Sequence, residues 1–211
     1  MEEFTRLLLE CLEKELKSVN GLTFSFFANF TGREVNMRFF QGTRDGACQM
    51  GHIPKSEPEI FRTIKLIVPD TDNELSLNNL VHDNYAVRSD SIMMKCSDCC
   101  QHSIKCPQSD SCKLKAGFER KDLLMAPAFL YIQLFRFNGI HRKIESKVTP
   151  ENILALQNGD KFELVSIGNH MGSLTSNGHY QALVKSGRTS WVKIDDDVSY
   201  EINLRDHITK R

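Results

Sequence analysis

Net charge is the first thing this 211-residue chain lacks, since 27 Lys and Arg balance 27 Asp and Glu. A neutral chain without basic-aromatic stripes has no long-range pull toward nucleic acid or an anionic membrane. It also lacks any apolar run near the length of a membrane span. The opening Met1-Glu2-Glu3-Phe4 has no basic region of the secretory kind, and Glu2, Glu3, Glu10 and Glu13 argue against a transit peptide. An intracellular protein of the cytoplasm or nucleus is expected. Repeats and low-complexity linkers are missing as well, and the length suits one domain with a good core or two small ones. Cysteine is present in odd number: of seven, five crowd between Cys96 and Cys112. In a reducing compartment that pattern points to metal ligands or free thiols before disulfides.

Phe4, Leu7, Leu8, Cys11, Leu12 and Leu16 recur at helical spacing and predict an amphipathic helix from Glu2 to about Val19, closed by Asn20-Gly21. Two aromatic-rich strands follow, Leu22 to Phe30 and Glu34 to Phe40, parted by Thr31-Gly32-Arg33. Ile60 to Val68 reads as one further strand, Ser76 as the cap of a short helix through Val81, and Ile92 to Met94 as a strand fragment. Ala128 to Phe137 is the strongest strand signal in the chain, and its near-continuous apolar run predicts burial on both faces.

Near the end, Gly178 to Val184 and Trp191 to Asp197 are strand-like arms around the turn chemistry of Ser186-Gly187-Arg188-Thr189, an antiparallel hairpin. With Gly187 as the fold point, Tyr180 faces Ile194, Ala182 faces Val192, Leu183 faces Trp191 and His179 faces Asp195. Tyr180, Ala182, Val184, Val192 and Ile194 then share the face expected to be apolar and packed, and a one-residue slip would turn it to water. Directly opposed residues have Cβ atoms about 4.5–5.5 Å apart, close enough for a carboxylate to fix the tautomer of an imidazole and stabilise its cation. Asp196 is expected to turn to the other face and not to be the primary partner. A surface ion pair contributing little is the competing reading. The small, polar loop from His170 to Gly178, which leads into His179, favours function and is expected to be mobile.

Cys96-x-x-Cys99 has the spacing that presents two thiolates to one tetrahedral ion, which is half of a site. Cys48-x-x-x-His52 is the candidate for the other half, Cys48 as third ligand and His52 as fourth. Cys100, Cys106 and Cys112 form a looser alternative set, and small buried hydrophobes are the reading without metal.

The segments Phe162-Glu163-Leu164-Val165, His170-x-Gly172, Gly178-His179-Tyr180 and Trp191-x-x-Ile194-Asp195-Asp196-Asp197 together resemble the histidine box of the ubiquitin-specific proteases, papain-like cysteine peptidases that cleave ubiquitin from proteins. Pro127-x-x-Leu130-x-x-Gln133-Leu134-x-Arg136-Phe137 is similar to that family's central strand, Lys143-Ile144 with Val148-x-Pro150 to the strand after it, and Glu3-Phe4 with Leu8, Leu12 and Leu16 to the helix after its Cys box. The resemblance implies an α+β fold, mostly antiparallel sheet with an N-terminal helix. It corresponds to the fingers and palm of the family domain: about 1–21 a helix at the thumb junction, about 22–126 fingers, about 127–211 palm. It implies His179 as general base with Asp195 and Asp196 as catalytic carboxylates, and His170, Gly172, Asn177, Gly178 and Tyr180 beside the substrate. It also implies ubiquitin or ubiquitinated proteins as partners and structural zinc in the fingers. There, Gly51 stands where a second knuckle cysteine would fall, so either His52 substitutes or the metal is lost. The family's Asn-x-Gly-x-Thr-Cys-type box does not occur in the sequence. An incomplete domain without nucleophile or thumb is therefore expected, either part of a deubiquitinase whose thumb another chain could supply, a non-catalytic ubiquitin binder, or a zinc-knuckle interaction module.

Overall fold

The computed structural model describes residues 30–41, 44–48, 51–86, 92–101, 114–137, 142–174 and 177–208, with only the backbone of Arg44, Cys100, Gln101 and Ile208. The predicted helix over 2–19 and nearly all of the strand over 22–30 lie outside the described residues, as do Cys11, Cys106 and Cys112.

Among the described residues the chain forms β1 (Gly32–Phe40), β2 (Pro58–Phe61), β3 (Thr63–Ile67), β4 (Leu75–Ser76), helix α1 (Leu77–Tyr85), β5 (Ile92–Met94) and the short helix α2 (Ser97–Gln101). There follow β6 (Lys115–Met125), β7 (Tyr131–Phe135), β8 (Val148–Thr149), β9 (Ile153–Ala155), β10 (Lys161–Glu163), β11 (Ser166–Met171), β12 (His179–Lys185), β13 (Trp191–Asp195), β14 (Val198–Ile202) and α3 (Leu204–Ile208). This is an α+β chain built mostly of antiparallel sheet, in the manner the family resemblance implies. No helix among the described residues is long and apolar enough to cross a membrane. Two compact units alternate along the sequence, one drawn from residues up to Ile64 and from Asp83–Tyr131, the other from Lys65–His82 and Ile132–Arg211. Lys65–His82, within the 22–126 interval, thus groups with the later unit.

The first unit is organised by the antiparallel sheet β2-β1-β6-β5. Its long central pair is held by cross-strand side chains: Phe39 opposes Phe118 and stacks on it with ring centroids 5.2 Å apart. Glu34 accepts from Lys121 Nζ at 2.9 Å and from the Tyr85 hydroxyl at 3.2 Å, which satisfies a phenol that is otherwise buried. The stretch from Ile60 to Val68 is two strands, contrary to the single strand expected. Phe61 is buried, and then Ile64, Leu66 and Val68 are buried in the opposite phase. Because side chains alternate with period two, the slip at Arg62-Thr63 marks where the chain leaves β1 and joins β7.

In the second unit, Ser76 caps α1 as expected, its Oγ accepting from Asn79 N at 3.3 Å, and the Asn78 side chain ties the helix start to β9 by accepting from Ala155 N at 3.1 Å. β7 does not have two buried faces: its residues are half-buried and Phe135 is 40% exposed. Its only strand partner among the described residues is β3, and an apolar run does not by itself provide a second covering layer. The meander β11-β12-β13-β14 carries the core of Leu183, Trp191 and Leu204, with Leu164, Ile167 and Ile202 packed against it.

Candidate functional site

The hairpin β12–β13 forms, but in a different register from that expected. Ala182 opposes Ile194, Leu183 opposes Lys193, Val184 opposes Val192 and Lys185 opposes Trp191, an offset of two residues from the pairing about Gly187. The turn closes later, with Ser186 N donating to Ser190 O at 3.0 Å. An even offset preserves faces, so His179 and Asp195 still project from the same side, as diagonal rather than direct neighbours. The buried face, however, is theirs. Gln181, Leu183, Trp191 and Lys193 are buried, whereas Tyr180 and Ile194 on the face expected to be packed are 50% and 42% exposed. That face is the one covered, since Leu183 and Trp191 pack with Leu204, Leu164, Ile167 and Ile202.

At the open end of this face, His179 Nε2 is hydrogen-bonded to Asp195 Oδ1, and Asp195 Oδ2 accepts from Gln181 Nε2 and pairs with Lys193 Nζ at 3.2 Å. The carboxylate is thus held from three sides while the His179 side chain is 44% exposed. The bond to Asp195 raises the affinity of His179 for its proton, with help from the charge of Asp196 and against that of Lys193. Asp195 in turn is held below the usual carboxylate range, first by His179 and then by Lys193. Asp196 does not turn away as expected. It sits in the β13–β14 turn with φ of 51°, a left-handed conformation that brings its carboxylate into a group with His179 and Asp195 whose donor atoms lie within 4.8 Å of one another. Asp195 nevertheless makes the hydrogen bond. With Nε2 engaged, the nitrogen that remains for proton exchange is Nδ1. Gln181 and Lys193 went unnoticed in the sequence, although their signal was present: polar residues in phase with Leu183 and Trp191, two positions from the end of the strand.

The remaining residues expected beside a substrate divide between two faces. His170 and Met171 are the end of β11, not loop, and His170 opposes Tyr180 on the face away from His179. Its ring lies 4.7 Å from that of Tyr180 and 6.0 Å from that of Phe137, and burial lowers its affinity for a proton. Gly172 and Gly178 form the neck between β11 and β12. A Cβ on Gly178 would lie 2.0 Å from His170 Nε2, and one on Gly172, at φ of 143°, would lie 2.7 Å from Asn177 O. The strand-like pairing of Arg142 with Leu174, and Lys143 N donating to Ser173 O at 3.2 Å, tether part of this stretch. Asn177 and Gly178 are exposed, and Thr175 and Ser176 lie outside the described residues.

In the first unit the cysteines and histidine singled out from spacing converge. Cys48, His52, Cys96 and Cys99 bring their donor atoms within 4.8 Å of one another, a group able to hold a metal. Cys48 Sγ is 3.7 Å from Cys99 Sγ, and His52 Nδ1 is 3.3 Å from Cys99 Sγ and 3.8 Å from Cys96 Sγ. Thiolates about 2.3 Å and an imidazole nitrogen about 2.0–2.1 Å from a tetrahedral zinc stand about 3.8 Å (S···S) and about 3.6 Å (S···N) apart. The cluster has that size. Gly51 makes the knuckle: at φ of 79° it donates to Cys48 O at 2.8 Å while Cys48 N donates to His52 O at 2.8 Å, so the chain turns there and delivers His52. Phe40 and Met94 pack around the three buried cysteines. Burial, and then hydrogen bonding to Cys96 and Cys48, push the Cys99 thiol up to about 12. A cation is what makes thiolates tenable in such surroundings.

The histidine is thus held at Nε2 by a carboxylate on an antiparallel meander, and its side chain is half-exposed. The sequence profile described as ubiquitin carboxyl-terminal hydrolase matches residues 1–210, and the chain belongs to that family. Among solved structures it is similar to a yeast SAGA DUB module with an Sgf73 mutant, at 17% identity, 98% of this chain, 47% of that chain and a TM-score of 0.72. It is also similar to the SAGA Ubp8/Sgf11/Sus1/Sgf73 DUB module bound to monoubiquitin, at 18% identity, 85% of this chain, 38% of that chain and a TM-score of 0.64. The same module bound to ubiquitin aldehyde gives 18% identity, 85% and 39% coverage, and a TM-score of 0.63. The chain spans less than half the length of these solved chains, and at such identities the likeness is one of fold. No curated protein sequence matches it.

Proposed function

We propose that this chain supplies the base and its orienting acid for thiol-dependent removal of ubiquitin from proteins, with its first unit as zinc-bearing fingers and its second as palm. The observation that carries the reading is the His179 Nε2 bond to Asp195, which leaves Nδ1 for chemistry. In this reading, Nδ1 accepts the proton of a cysteine thiol, the thiolate attacks the isopeptide carbonyl, and the imidazolium returns the proton to the departing lysine amine. Asp195 keeps the ring in the required tautomer, and Asp196 adds negative charge beside the imidazolium. Gly172, Asn177 and Gly178 line the approach of the ubiquitin C-terminus, while His170 and Tyr180 shape that loop from the opposite face of the sheet. Cys48, His52, Cys96 and Cys99 would hold the zinc, whose charge would neutralise their thiolates and tie the Cys48–His52 turn to the Cys96–Cys99 segment. An intracellular setting, cytoplasmic or nuclear, fits the reduced thiols that such a site needs.

The 211 residues contain no Cys box, and the described thiols belong to the cysteine cluster. This favours, as a second reading, a chain that grips ubiquitin without cutting it. Ubiquitin carrying a C-terminal electrophile separates the two. Both readings expect ubiquitin to perturb the NMR signals of Asn177, Gly178 and His179, and the first expects turnover when a polypeptide bearing the Cys box is supplied. An adduct on one of the seven cysteines of this chain, abolished by His179→Ala, would overturn that division of labour. Unmoved signals would overturn ubiquitin as the partner.

A further inference from the structure

Lys193 stands on the buried face of β13, between Trp191 and Asp195, and is only 7% exposed. A lysine there is unfavourable unless its charge is met. Two groups meet it. Nζ lies 3.2 Å from Asp195 Oδ2, and 5.7 Å from the centroid of the Tyr200 ring, the residue directly opposite on β14. Gln181, equally buried, donates to the same carboxylate oxygen. Asp195 therefore divides its two oxygens: Oδ2 goes to Lys193 and Gln181, Oδ1 to His179.

We infer that Lys193 is a positioning residue which, by clamping and partly neutralising Asp195, orients His179 and keeps its imidazole able to accept a proton. The inference rests on the reading of His179 as general base. An undivided carboxylate beside an imidazole has two effects: it orients the ring and it holds the proton on it. A base that is already protonated cannot take another proton, and an efficient one has its midpoint near the working pH. Lys193 preserves the first effect and weakens the second. The Gln181 amide helps hold the geometry but carries no charge, so the electrical part belongs to the lysine. The charged groups bearing on His179 are Asp195, Asp196 and Lys193, and β11 places only Met171 opposite it. Lys193 is the one that opposes protonation, and the Tyr200 hydroxyl and then Asp195 keep its own ammonium charged.

The test is NMR titration of His179 in the whole chain, which needs neither substrate nor nucleophile. Lys193→Gln keeps a donor to Asp195 and removes the charge; the His179 midpoint moves up, and the Asp195 midpoint with it. Lys193→Arg keeps the charge and leaves both near their wild-type positions. Trp191 fluorescence reports whether each variant is folded. Should Lys193→Gln not fold, the wild-type chain still decides: the Lys193 ammonium nitrogen shift carries an inflection at the His179 midpoint if the groups are coupled through Asp195. A His179 midpoint that is the same in folded Lys193→Gln and wild type, or a Lys193 signal without that inflection, overturns the inference. Failure of the general-base reading looks different, since it leaves these titrations intact and appears as turnover indifferent to His179→Ala once the Cys box is supplied.

Discussion

The cysteine cluster of the first unit and the histidine hairpin of the second each gather donor atoms within 4.8 Å of one another, yet they are closed in opposite ways. Around the first, three of the four donor residues are buried, and an aromatic and a methionine pack against them. Around the second, the anchors Gln181 and Lys193 are buried while the imidazole they indirectly hold is 44% exposed. A closed set of four soft donors has no coordination position for a reactant, which is the character of a structural metal site. A ring fixed at one nitrogen and open at the other has its reactive atom where a reactant can reach it. Burial alone therefore does not distinguish the two; what matters is whether the buried groups are the functional atoms or the supports of an exposed one.

The largest effect expected from this contrast is on the closed side. Cys96→Ser or Cys99→Ser should abolish stoichiometric zinc and, because binding energy in such small sites is folding energy of about 10 kcal/mol or more, remove amide protection from α2, β5 and the adjoining end of β6. Elemental analysis and hydrogen exchange measure both, and unchanged zinc would break the comparison. Next, Leu183→Ala should lower the unfolding free energy by about 2–5 kcal/mol, since Leu183 is 1% exposed within the core that underlies the hairpin. Denaturant melts read this directly. Smaller again, Gly178→Ala should displace the His170 ring, because its Cβ would fall 2.0 Å from Nε2, at a stability cost of about 1–3 kcal/mol. His170 ring shifts and a thermal melt would register it, and an unmoved ring would show that the neck of the loop is softer than its geometry implies.

The legibility of these features in the sequence follows the same division. The cysteine cluster was readable because ligand spacing is a local property: two residues between Cys96 and Cys99 and three between Cys48 and His52 fit one knuckle each, and Gly51 marks the turn. The hairpin was readable in its face parity but not in its register. Ser186 to Ser190 offers several residues that tolerate a turn, and a shift of two leaves every side chain on its own face, so periodicity carries no information about it. Which face is buried was misread for a different reason. Counting apolar positions favours Tyr180, Ala182, Val184, Val192 and Ile194, while Lys193 and Gln181 disguise the true core face, and their burial makes sense only once Asp195 is placed against them. The split of Ile60 to Val68 into β2 and β3 lay in the sequence as a phase slip at Arg62-Thr63, but strand-forming residues on both sides of the slip mask it.

The smallest effect is the most diagnostic of the open side. Asp195→Asn should move the His179 midpoint down, since the hydrogen bond from the imidazolium to the ionised carboxylate is the main cause of its rise above the ordinary 6.5. Asp196→Asn should move it the same way by less, because Asp196 acts on it through charge without a hydrogen bond, and Asp197→Asn should leave it in place. The sign for stability follows from both partners. His179, whose folded value is raised, contributes fully below 6.5 and loses that contribution as pH climbs through the raised value. Asp195, whose folded value is depressed, contributes above 3.8 and loses its contribution as pH falls through the depressed value. The stability difference between wild type and Asp195→Asn should therefore be greatest between about pH 4 and 6.5 and shrink on either side. Half-exposure of the imidazole keeps the difference small and sensitive to salt. Melts across that range, with and without added salt, measure it. A difference that is flat with pH would mean that Asp195 supports the hairpin only through Gln181 and Lys193, and the imidazole would then be a bystander to its own anchor.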